Sequence, residues 1–456
     1  MKKTIFISIL SGIEAKNILR TDILSRLLKE KNLSIVLFLK SADRLPYYRS
    51  VCGENAERLQ FVVADTLVMG FLEKTLEKLK HYFVFTKTQR LYKQLAYLES
   101  KDFLLYAFSY VLSFLLSWSL PRMLSRFVDT YLVKNTTFSS VFDKFRPELV
   151  FLGNLFDPIE IVLLREAKRR GVCSIGFINS WDKITSKGFV RILPYSLIVP
   201  NYLVRDEACR YLSIPTKRIF VSGYPHYDYY FPIAMDVIPR AEFMRKKGLD
   251  PRNKLIVLAP AGSSFTGSDE RAVNLLKGIV KKYFDKQVSI LVRFQPNDSF
   301  NAKTDNGIDG DIAYDVPGAR FSTKRGMDWD MDAHDLHVLK NTLYHADLFV
   351  TVGSSIGIDA AIFDKPVVVI GFELCPQNSV LEQASLRLTV AHFERVFRIG
   401  MKVAHSENEL IDLIQFYLKH PEADRKDREE MVKEQCYEVD GKSSERFANF
   451  ILENIR

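Results

Sequence analysis

Short apolar runs alternate with helical patterns along most of this chain, and that alternation constrains its fold more than any other feature. The first run, KTIFISIL at residues 3–10, is followed by an amphipathic stretch and then by LSIVLFLK at residues 33–40. The alternation begins afresh with LIVLAPAG at residues 255–262 and continues to PVVVIGFE at residues 366–373. Continuous apolar strands separated by amphipathic helices are typical of a parallel sheet covered on both faces. The sequence therefore predicts an α/β protein built from two Rossmann-like domains.

The alternation pauses between residues 230 and 254, which carry three prolines and a cluster of charged residues. A chain of 456 residues is also too long for one ordinary core, so two domains are expected. We predict a first domain over residues 1–235, a linker over 236–254, a second domain over 255–425 and closing helices over 426–456. Ligands bind at the carboxyl ends of the strands in such sheets, so the domains are expected to face a central cleft that holds the site.

The charge balance narrows the class of partner. Lys and Arg number 64 against 55 Asp and Glu, and the net charge of +9 suits an anionic small molecule or an anionic membrane face. No basic tract with interleaved aromatic residues occurs, so nucleic acid is not an expected partner.

The cysteines and the first residues indicate the compartment. The five cysteines are far apart and form no CxxC pair, which favours a reducing compartment without a zinc site or a disulfide framework. The opening MKKTIFISILSGIEAKN resembles a secretory leader superficially, but its apolar run is short and no small-residue cleavage site follows. A first buried strand and a cytoplasmic location are therefore expected.

Residues 103–121 interrupt this scheme with nineteen uncharged residues, FLLYAFSYVLSFLLSWSLP, within a predicted helical insertion around residues 70–130. Four serines and a terminal proline weaken a transmembrane assignment of this stretch, although its length approaches that of a membrane span. A helix lying in the membrane interface is favoured, with a transmembrane helix and an ordinary buried helix pair as alternatives. The basic residues that precede the stretch favour an anionic leaflet; they include Lys74, Lys78, Lys80, Lys87 and Lys93.

The stretch VTVGSSIGIDAAIFDKPVVVIGFE at residues 350–373 carries the strongest candidate for a ligand site. Gly353 allows a sharp turn after a buried strand, and Ser354 or Ser355 is suited to cap the helix that follows. A helix start offers free backbone N–H groups and partial positive charge, which suit a phosphate. Asp359 lies one turn further along the same face, where its carboxylate can accept hydrogen bonds from two ribose hydroxyls. The alternative is an ordinary capped helix with a solvated Asp359.

Two further strand ends are expected at the same ligand. The loop after the first strand of the second domain contains Gly262, Ser263 and Ser264, small residues that let a phosphate approach closely, although no Walker lysine follows. The run LVRFQP ends the next strand with Arg293, whose guanidinium can pair bidentately with a diphosphate or, alternatively, form a surface salt bridge. Together with the helix start, these strand ends predict one cradle for the diphosphate of a nucleotide.

Four motifs carry a resemblance to a known family. They are SGYPHYD at residues 222–228, LVRFQP at 291–296, HADLFVTVGSSIGIDAAIFDKPVV at 345–368 and DGKSSERFANFI at 440–451. In these motifs the chain resembles the glycosyltransferases of GT-B fold, most of all the CDP-glycerol glycerophosphotransferase-related branch used in bacterial surface-polysaccharide assembly. The resemblance implies two facing Rossmann-like domains and a C-terminal helix that crosses back to the first domain.

The resemblance also implies transfer from a nucleotide-activated donor, with the donor held by the second domain and the acceptor by the first. We expect a glycosyltransferase that moves a sugar to a hydroxyl of a bacterial surface glycan or lipid-linked acceptor, without a metal or other cofactor, at the inner face of the cell membrane. The alternatives are glycerophosphate transfer from a CDP-glycerol-type donor, a nucleotide-sugar 2-epimerase, and a non-catalytic scaffold of polysaccharide assembly.

The chain departs from the family at two places that bear on catalysis. Gln-Pro stands at residues 295–296 where relatives often have His-Pro, and NSWDKITSKG stands at residues 179–188 where they have a His-Gly pair. The catalytic base is therefore sought in that second loop, where Asp182 is the predicted base and Lys183 or Lys187 is expected to offset charge on the substrates. A structural turn with solvated charges is the alternative for this loop.

Other polar residues are weaker candidates. Asp157 and Glu160 follow a predicted strand and are candidates on the acceptor side, and His226 near the domain junction is expected to position neighbouring groups. The acidic stretch STKRGMDWDMDAHDLH at residues 322–337 contains two histidines, but it is predicted to be a solvated loop at the edge of the base pocket and not a metal site.

Overall fold

The computed structural model describes residues 2–260, 269–284, 286–296, 311–321, 329–374 and 388–455. The chain forms two compact units: unit 1 contains Met1–Tyr229 and Gln435–Arg456, and unit 2 contains Tyr230–Glu434. Each unit has its own parallel sheet, so the predicted α/β class with two Rossmann-like domains is confirmed.

Residues 236–254, which the sequence predicts as a linker, are packed within unit 2. They contain the helix Arg240–Lys246, and Arg240 Nη2 lies 2.7 Å from Asp347 Oδ2. The backbone N–H of Ile238 donates to Asn341 Oδ1 at 3.0 Å. Because these contacts fix the segment to the rest of unit 2, it does not behave as a linker, and unit 2 begins at Tyr230.

Unit 1 is built on a sheet of seven parallel strands. Their bounds are β1 (Lys3–Ile9), β2 (Leu33–Leu39), β3 (Leu59–Val63), β4 (Leu149–Leu152), β5 (Cys173–Phe177), β6 (Ser196–Val199) and β7 (Ile219–Val221). The order across the sheet is β3-β2-β1-β4-β5-β6-β7. The central strands are almost wholly buried because helices cover both faces, which explains their continuous apolar runs.

Eleven helices of unit 1 precede the passage to unit 2 within the described chain. They are α1 (Gly12–Ile18), α2 (Asp22–Lys29), α3 (Leu45–Cys52), α4 (Phe71–Leu79), α5 (Lys87–Ser100), α6 (Phe103–Leu116), α7 (Ser119–Phe127), α8 (Ser139–Phe145), α9 (Pro158–Arg169), α10 (Lys183–Ser186) and α11 (Tyr202–Glu207). A π-helical turn, Val128–Leu132, continues α7.

Unit 2 contains a six-stranded parallel sheet and a small antiparallel pair. The strands are β8 (Lys254–Ala259), β9 (Val288–Arg293), β10 (Ile312–Asp315), β11 (Ala319–Arg320), β12 (Trp329–Asp330), β13 (Leu348–Thr351), β14 (Val367–Ile370) and β15 (Lys402–Ala404). The order across the large sheet is β10-β9-β8-β13-β14-β15, and β11 pairs with β12. Because β9, β8 and β13 are adjacent and parallel, their carboxyl ends lie at one edge.

The described helices of unit 2 cover this sheet and lead back to unit 1. They are α12 (Arg240–Lys246), α13 (Asp269–Tyr283), α14 (Ala333–His345), α15 (Ile356–Ile362), α16 (Ala391–Ile399), α17 (Glu407–Lys419) and α18 (Arg425–Cys436). The last residues of α18 already belong to unit 1.

The last helix, α19 (Ser443–Glu453), is part of unit 1. The ring centroid of its Phe447 lies 5.4 Å from that of Phe151 and 5.0 Å from that of Phe177. At its start, the carboxylate of Asp228 accepts hydrogen bonds from the backbone N–H groups of Ser443 and Ser444, at 3.0 and 2.6 Å. The motifs SGYPHYD and DGKSSERFANFI are therefore in contact, because Asp228 of the first motif caps the helix that the second motif begins.

A buried ion-pair network attaches the helical insertion to the body of unit 1. Arg165 on α9 pairs with Glu73 Oε1 at 2.7 Å and with Asp129 Oδ1 at 2.6 Å. Asp129 also accepts from Arg191 Nε at 2.7 Å, and Arg191 pairs with Glu77. Four of these side chains are almost completely buried. Because these charges are buried away from water, each depends on its partner within the protein. The network therefore fixes the insertion to the sheet layer.

Helix α6 has reversed polarity. Its buried residues are Ser109 and Ser113, while its apolar side chains are at least 48 % exposed at Phe103, Leu104, Leu105, Phe108, Val111, Phe114 and Leu115. Trp118 and the apolar residues of α7 and its π-turn extend this exposed surface. The alternative of an ordinary buried helix pair is therefore wrong, because such a pair would bury its phenylalanines and leucines and not its serines.

No single helix in the described part of the chain has the length and the apolar character needed to cross a membrane. The pair Phe103–Leu116 and Ser119–Leu132, bent by 82°, meets that requirement only when the two are taken together, by length and composition alone.

Candidate active site

The first candidate region lies at the carboxyl edge of the unit 2 sheet, where β13 turns into α15. Gly353 has φ of +95°, a conformation that side chains other than glycine rarely adopt, so the turn requires this residue. Ser355 occupies the N-cap position as predicted, but its hydroxyl makes no capping hydrogen bond. The reason is its helical backbone, since a capping side chain needs the extended conformation. Ser354, one residue earlier, is half-buried.

Asp359 lies one turn into α15 and is only 8 % exposed. Its Oδ1 atom accepts a hydrogen bond from the Tyr230 hydroxyl at 2.5 Å. Tyr230 is itself buried, and its ring centroid lies 5.1 Å from that of Phe363. A solvated Asp359 is therefore not what the structure contains. Sequence reasoning missed Tyr230, although it lies only two residues after the SGYPHYD motif.

Arg293 ends β9 as predicted and is 4 % exposed. It forms an ion pair with Asp315 on the neighbouring strand β10, and Lys247 Nζ lies 3.2 Å from the same carboxylate. Among the residues that the structure describes, no partner reaches the buried Nη2 atom of Arg293. The Nη1 side of the guanidinium is thus paired with the carboxylate of Asp315, whereas the N–H groups of Nη2 have no acceptor among the described residues.

β8 lies between β9 and β13 in the sheet of unit 2, so its carboxyl end lies at the same edge as the ends of those two strands. The predicted phosphate-binding residues Gly262, Ser263 and Ser264 lie outside the described residues. The topology therefore agrees with a shared cradle, and its role in donor binding stays a prediction.

The second candidate region lies at the carboxyl edge of the unit 1 sheet and contains two buried glutamates. Glu160 on α9 shares a hydrogen bond with Ser8 of β1, and its Oε2 atom accepts from the backbone N–H of Asn154 at 3.1 Å and from that of Leu155. Glu14 on α1 accepts from Asn179 Nδ2 at 3.1 Å. Both glutamates are fully buried.

Burial governs the protonation of this pair. It raises the pKa of Glu160 to about 8, with a further contribution from the nearby charge of Glu14. Burial also raises the pKa of Glu14, and the ammonium of Lys183 opposes that shift. The Ser8 hydroxyl donates to Oε1 of Glu160, and the backbone N–H groups of Asn154 and Leu155 donate to Oε2. Glu160 thus positions the loop after β4, and its burial does not allow the direct contact with an acceptor that its place in the sequence predicts.

Glu14 is a candidate that sequence reasoning missed. The available signal was its place two residues after Gly12, at the carboxyl end of the first strand. Its partner Asn179 also donates to the carbonyl oxygen of Gly153 at 2.7 Å, so three strand ends of unit 1 meet at this carboxylate.

The predicted base, Asp182, precedes α10 in a well-bonded turn. Its Oδ1 atom accepts from the Ser180 hydroxyl at 2.5 Å, and its Oδ2 atom accepts from the Ser186 hydroxyl at 3.0 Å. Lys183 is buried and donates to Asn154 Oδ1 at 2.5 Å, whereas Lys187 is exposed. Burial lowers the pKa of Lys183. Catalysis by Asp182 stays a prediction, and the turn has the hydrogen bonds of a structural element as well.

Two other predicted residues of unit 1 have structural partners. Asp157 caps α9, since its Oδ1 atom accepts from the backbone N–H of Ile159 at 2.9 Å, and burial raises the pKa of its carboxyl. His226 Nδ1 lies 2.9 Å from Asn17 Oδ1. Burial holds the pKa of His226 well below its usual value, so the imidazole is neutral, as a positioning role requires.

The acidic stretch at residues 322–337 is described from Trp329 onward. Asp332 and Asp335 form a reciprocal capping box at the start of α14, and His337 Nε2 lies 2.9 Å from the carbonyl oxygen of Asp236. The prediction of a solvated loop is wrong for these residues, because Asp332 and Asp335 serve the start of α14 and Asp330 is buried. The expectation that no metal is bound stays a prediction.

Two α/β units, each with a parallel sheet and with polar residues at its carboxyl edge, define the GT-B class of fold. Solved structures agree. The chain is similar to MnaA of S. aureus in a co-structure with UDP (14% identity, TM-score 0.53, covering 100% of this chain and 98% of that one). It is also similar to UDP-GlcNAc 2-epimerase from Neisseria meningitidis bound to UDP-GlcNAc (10%, TM-score 0.54, 99% and 100%). A third similar structure is the wall teichoic acid polymerase TagF soaked with CDPG (13%, TM-score 0.50, 100% and 88%).

The family described as CDP-Glycerol:Poly(glycerophosphate) glycerophosphotransferase matches residues 194–453, which is more than half of the 456 residues. The chain belongs to this family and is a transferase enzyme with the GT-B fold. No curated protein sequence matches it.

Proposed function

We propose that this protein transfers a sugar from a nucleotide-activated donor to a hydroxyl of a bacterial surface glycan or a lipid-linked acceptor. The observation that carries the proposal is the hydrogen bond by which Tyr230 holds the buried carboxylate of Asp359, beside the turn at Gly353. These residues lie at the carboxyl edge of the unit 2 sheet, within the part of the chain that matches the family. A fixed, buried carboxylate next to a strand end is suited to the hydroxyls of a ribose. The UDP and CDPG in structures of similar fold support a nucleotide as the ligand.

Each group on the donor side has a distinct task. Asp359 accepts hydrogen bonds from the ribose, and the unused donor of Arg293 faces the charge that develops on the diphosphate. Gly353, Ser354 and Ser355 allow phosphate oxygens to approach the backbone. Because these groups offset the charge of the leaving group, the proposal includes no metal or other cofactor.

The chemical step is a displacement at the anomeric carbon. The acceptor oxygen forms a bond to the anomeric carbon while the bond between that carbon and the diphosphate oxygen breaks. The nucleoside diphosphate leaves with the electron pair of the broken bond. The hydroxyl proton passes to a carboxylate of unit 1, for which Asp182 is the proposed base. Lys187, which is exposed near it, is available to offset negative charge on the acceptor.

Glycerophosphate transfer is the second candidate, and the family description favours it. In that reaction the acceptor oxygen attacks the β-phosphorus of a CDP-glycerol-type donor, the bond to the α–β bridging oxygen breaks, and CMP leaves. The Gln-Pro at residues 295–296, where relatives often have His-Pro, is the feature that favours a different donor for this chain.

We further propose that the protein works at the inner face of the cell membrane, held there by α6 and α7. The exposed phenylalanines and leucines of α6 form an apolar face of the kind that marks a contact with a membrane or another protein. Lysines on α4 and α5 supply the positive charge that an anionic leaflet attracts.

A donor screen tests the reaction. UDP-, GDP- and CDP-linked donors and CMP are added to the protein, and its thermal unfolding and the release of free nucleotide are measured with and without acceptor glycan. We expect stabilisation by one nucleotide class and acceptor-dependent release of nucleotide. Conversion of the donor without acceptor would instead establish an epimerase, and the absence of any nucleotide effect would establish a scaffold. The Asp359→Asn variant, which removes the charge but keeps the size, is the matched control and should lose the stabilisation.

A further inference from the structure

A cavity of about 430 Å³ lies inside the helical insertion of unit 1, apart from both candidate regions. Its walls come from α4, the turn that follows it, α5 and the first half of α6. The side chains that give the cavity its chemical character are three bases and four aromatic phenols, namely Lys78, His81, Lys93, Tyr82, Tyr92, Tyr97 and Tyr106.

The charge of this cavity is positive. Lys93 Nζ lies 5.1 Å from the ring centroid of Tyr82, which holds the ammonium over an aromatic face. Asp102 is the carboxylate in the wall, and its Oδ1 atom accepts from the backbone N–H of Leu105 at 2.9 Å, as the cap of α6. Glu77, which stands near His81, is paired with Lys80 and Arg191. An anionic group that entered would therefore meet the side-chain amines of Lys78 and Lys93.

The mouth of the cavity borders the apolar face of α6. Leu105 contributes to the cavity wall and is also 57 % exposed on that face. The next residue, Tyr106, lines the cavity with its ring centroid 5.1 Å from that of Tyr97. A molecule with a polar head and a hydrocarbon chain can thus occupy the cavity and the apolar face together.

The opposite wall is joined to the loop of the proposed base. Gln89 lines the cavity, and its Nε2 atom donates to the carbonyl oxygen of Ser186 at 2.7 Å. Thr86, at the start of the same helix, donates to the carbonyl oxygen of Thr185 at 2.8 Å. These bonds fix α5 to the turn that carries Asp182. The cavity therefore lies between the proposed membrane surface and the proposed acceptor loop.

We propose that this cavity binds the phosphate-bearing head of a lipid-linked acceptor, with the hydrocarbon chain of that lipid along the exposed face of α6 and α7. Lys78 and Lys93 neutralise the phosphate, and the tyrosine rings pack against the group next to it. The inference rests on the proposed function and narrows its acceptor to a phosphate carried by a lipid.

Vesicle binding tests this site with the full chain. Phosphatidylcholine vesicles are doped with phosphatidic acid, which has a phosphomonoester head, or with phosphatidylglycerol at equal surface charge, and bound protein is measured by co-sedimentation. The wild type should prefer phosphatidic acid. The variant Lys78→Ala with Lys93→Ala should bind these vesicles about thirtyfold more weakly, from the usual contribution of two lysines at an anionic surface.

The matched control removes the same charge from the same helices. Lys74→Ala with Lys87→Ala changes one lysine on α4 and one on α5 that do not line the cavity, and it should keep the preference for phosphatidic acid. The single variant Lys93→Met keeps an apolar stem against Tyr82 and should reduce the preference if the fold is intact. Equal losses in both double variants would overturn the site in favour of general surface charge.

Two further measurements separate this inference from the proposed function. Inorganic phosphate is tested in thermal unfolding, and stabilisation as strong as that by phosphatidic acid vesicles would overturn the assignment to a lipid. The nucleotide-induced shift is measured in the cavity variants, where it should be unchanged. Loss of lipid preference with a normal nucleotide shift supports the cavity, whereas a normal nucleotide shift without any lipid preference in the wild type refutes it and leaves the transferase proposal standing.

Discussion

The hydroxyl of Tyr230 donates a hydrogen bond of 2.5 Å to the carboxylate of Asp359, and both side chains are buried in unit 2. The two residues are 129 positions apart in the sequence. Tyr230 is the first residue of unit 2, so the carboxylate proposed to hold the ribose is oriented from the point where the chain enters that unit.

Replacing Tyr230 by Phe should weaken nucleotide binding about tenfold, the usual consequence of losing a hydrogen bond to a charged group. The ring would still pack on Phe363, so the fold should be retained. Calorimetric titration with the nucleotide found in the donor screen measures the effect, and Tyr344→Phe in the same unit is the control. An unchanged dissociation constant would mean that Asp359 does not depend on this contact, or does not bind the nucleotide.

Arg293 offers a test that separates stability from binding. Removing it would break a largely buried ion pair and leave Asp315 with Lys247 as its cationic partner, a change that should lower the free energy of unfolding whether or not the site binds nucleotide. The informative variant is therefore Arg293→Lys, which keeps the charge but loses the forked donors. We expect a weaker nucleotide affinity with nearly normal stability, as measured by calorimetry and urea unfolding. The variant Asp315→Asn leaves the guanidinium in place and should bind nucleotide at least as tightly as the wild type.

Glu160 predicts a pH dependence of stability. Its pKa is about 8 in the folded protein, against an ordinary value of 4.5 for a glutamate. Between these two pH values the folded state therefore holds a proton that the unfolded state has released. Its stabilising contribution is complete below about pH 4.5 and is lost as the pH rises to about 8. The variant Glu160→Gln imitates the protonated form, and it should lose less stability than the wild type over that range.

Urea unfolding of both proteins at several pH values measures this difference. Glu166→Gln, on the same helix and paired with Arg170, controls for the change in charge. Parallel stability profiles for the wild type and Glu160→Gln would contradict the raised pKa.

The network that fixes the insertion gives a matched pair of arginines, one on α9 and one directly after it. Arg165→Ala leaves Glu73 buried without its arginine and leaves Asp129 with Arg191 alone, and it should cost about 3–5 kcal/mol in the free energy of unfolding. Arg170→Ala removes the arginine that follows α9, whose partners Asp143 and Glu166 lie nearer the surface, and it should cost less than about 1 kcal/mol. Urea unfolding distinguishes the two, and similar losses would argue against the network as the anchor.

The exposed face of α6 should govern membrane binding. Phe108→Ser with Phe114→Ser should lower vesicle binding by about a hundredfold or more, because each phenylalanine contributes about 1.5–3 kcal/mol when it leaves water. Co-sedimentation with anionic vesicles measures the loss. Phe416→Ser changes an exposed phenylalanine on α17 and should have no effect. Normal binding by the α6 variant would exclude this face as the membrane contact.

Much of the fold could be predicted because its signals are local. Strands such as β1 and β13 read as continuous apolar runs since both faces of each sheet are covered, and Gly353 marks a turn that its own backbone angle requires. The segment at residues 236–254 misled the prediction, because its prolines and charges indicate a loop. Those charges include Arg240, whose partner Asp347 is more than a hundred residues away.

The sites were harder to predict because their contacts are long-range. Glu14 meets Asn179 across 165 positions of sequence, and no local pattern indicates that pairing. Composition identified α6 as apolar but did not specify which face of this helix packs against the rest of the protein. That orientation depends on Ser109 and Ser113, which appear in the sequence only as interruptions of an apolar run.

The reversed polarity of α6 also determines how the protein should behave in plain buffer. During purification no bilayer is present to cover the apolar face of α6. The same face of another copy of the protein is then available to cover it. Copies should therefore cluster through α6 and α7, and a mild detergent should return them to single particles without altering either sheet.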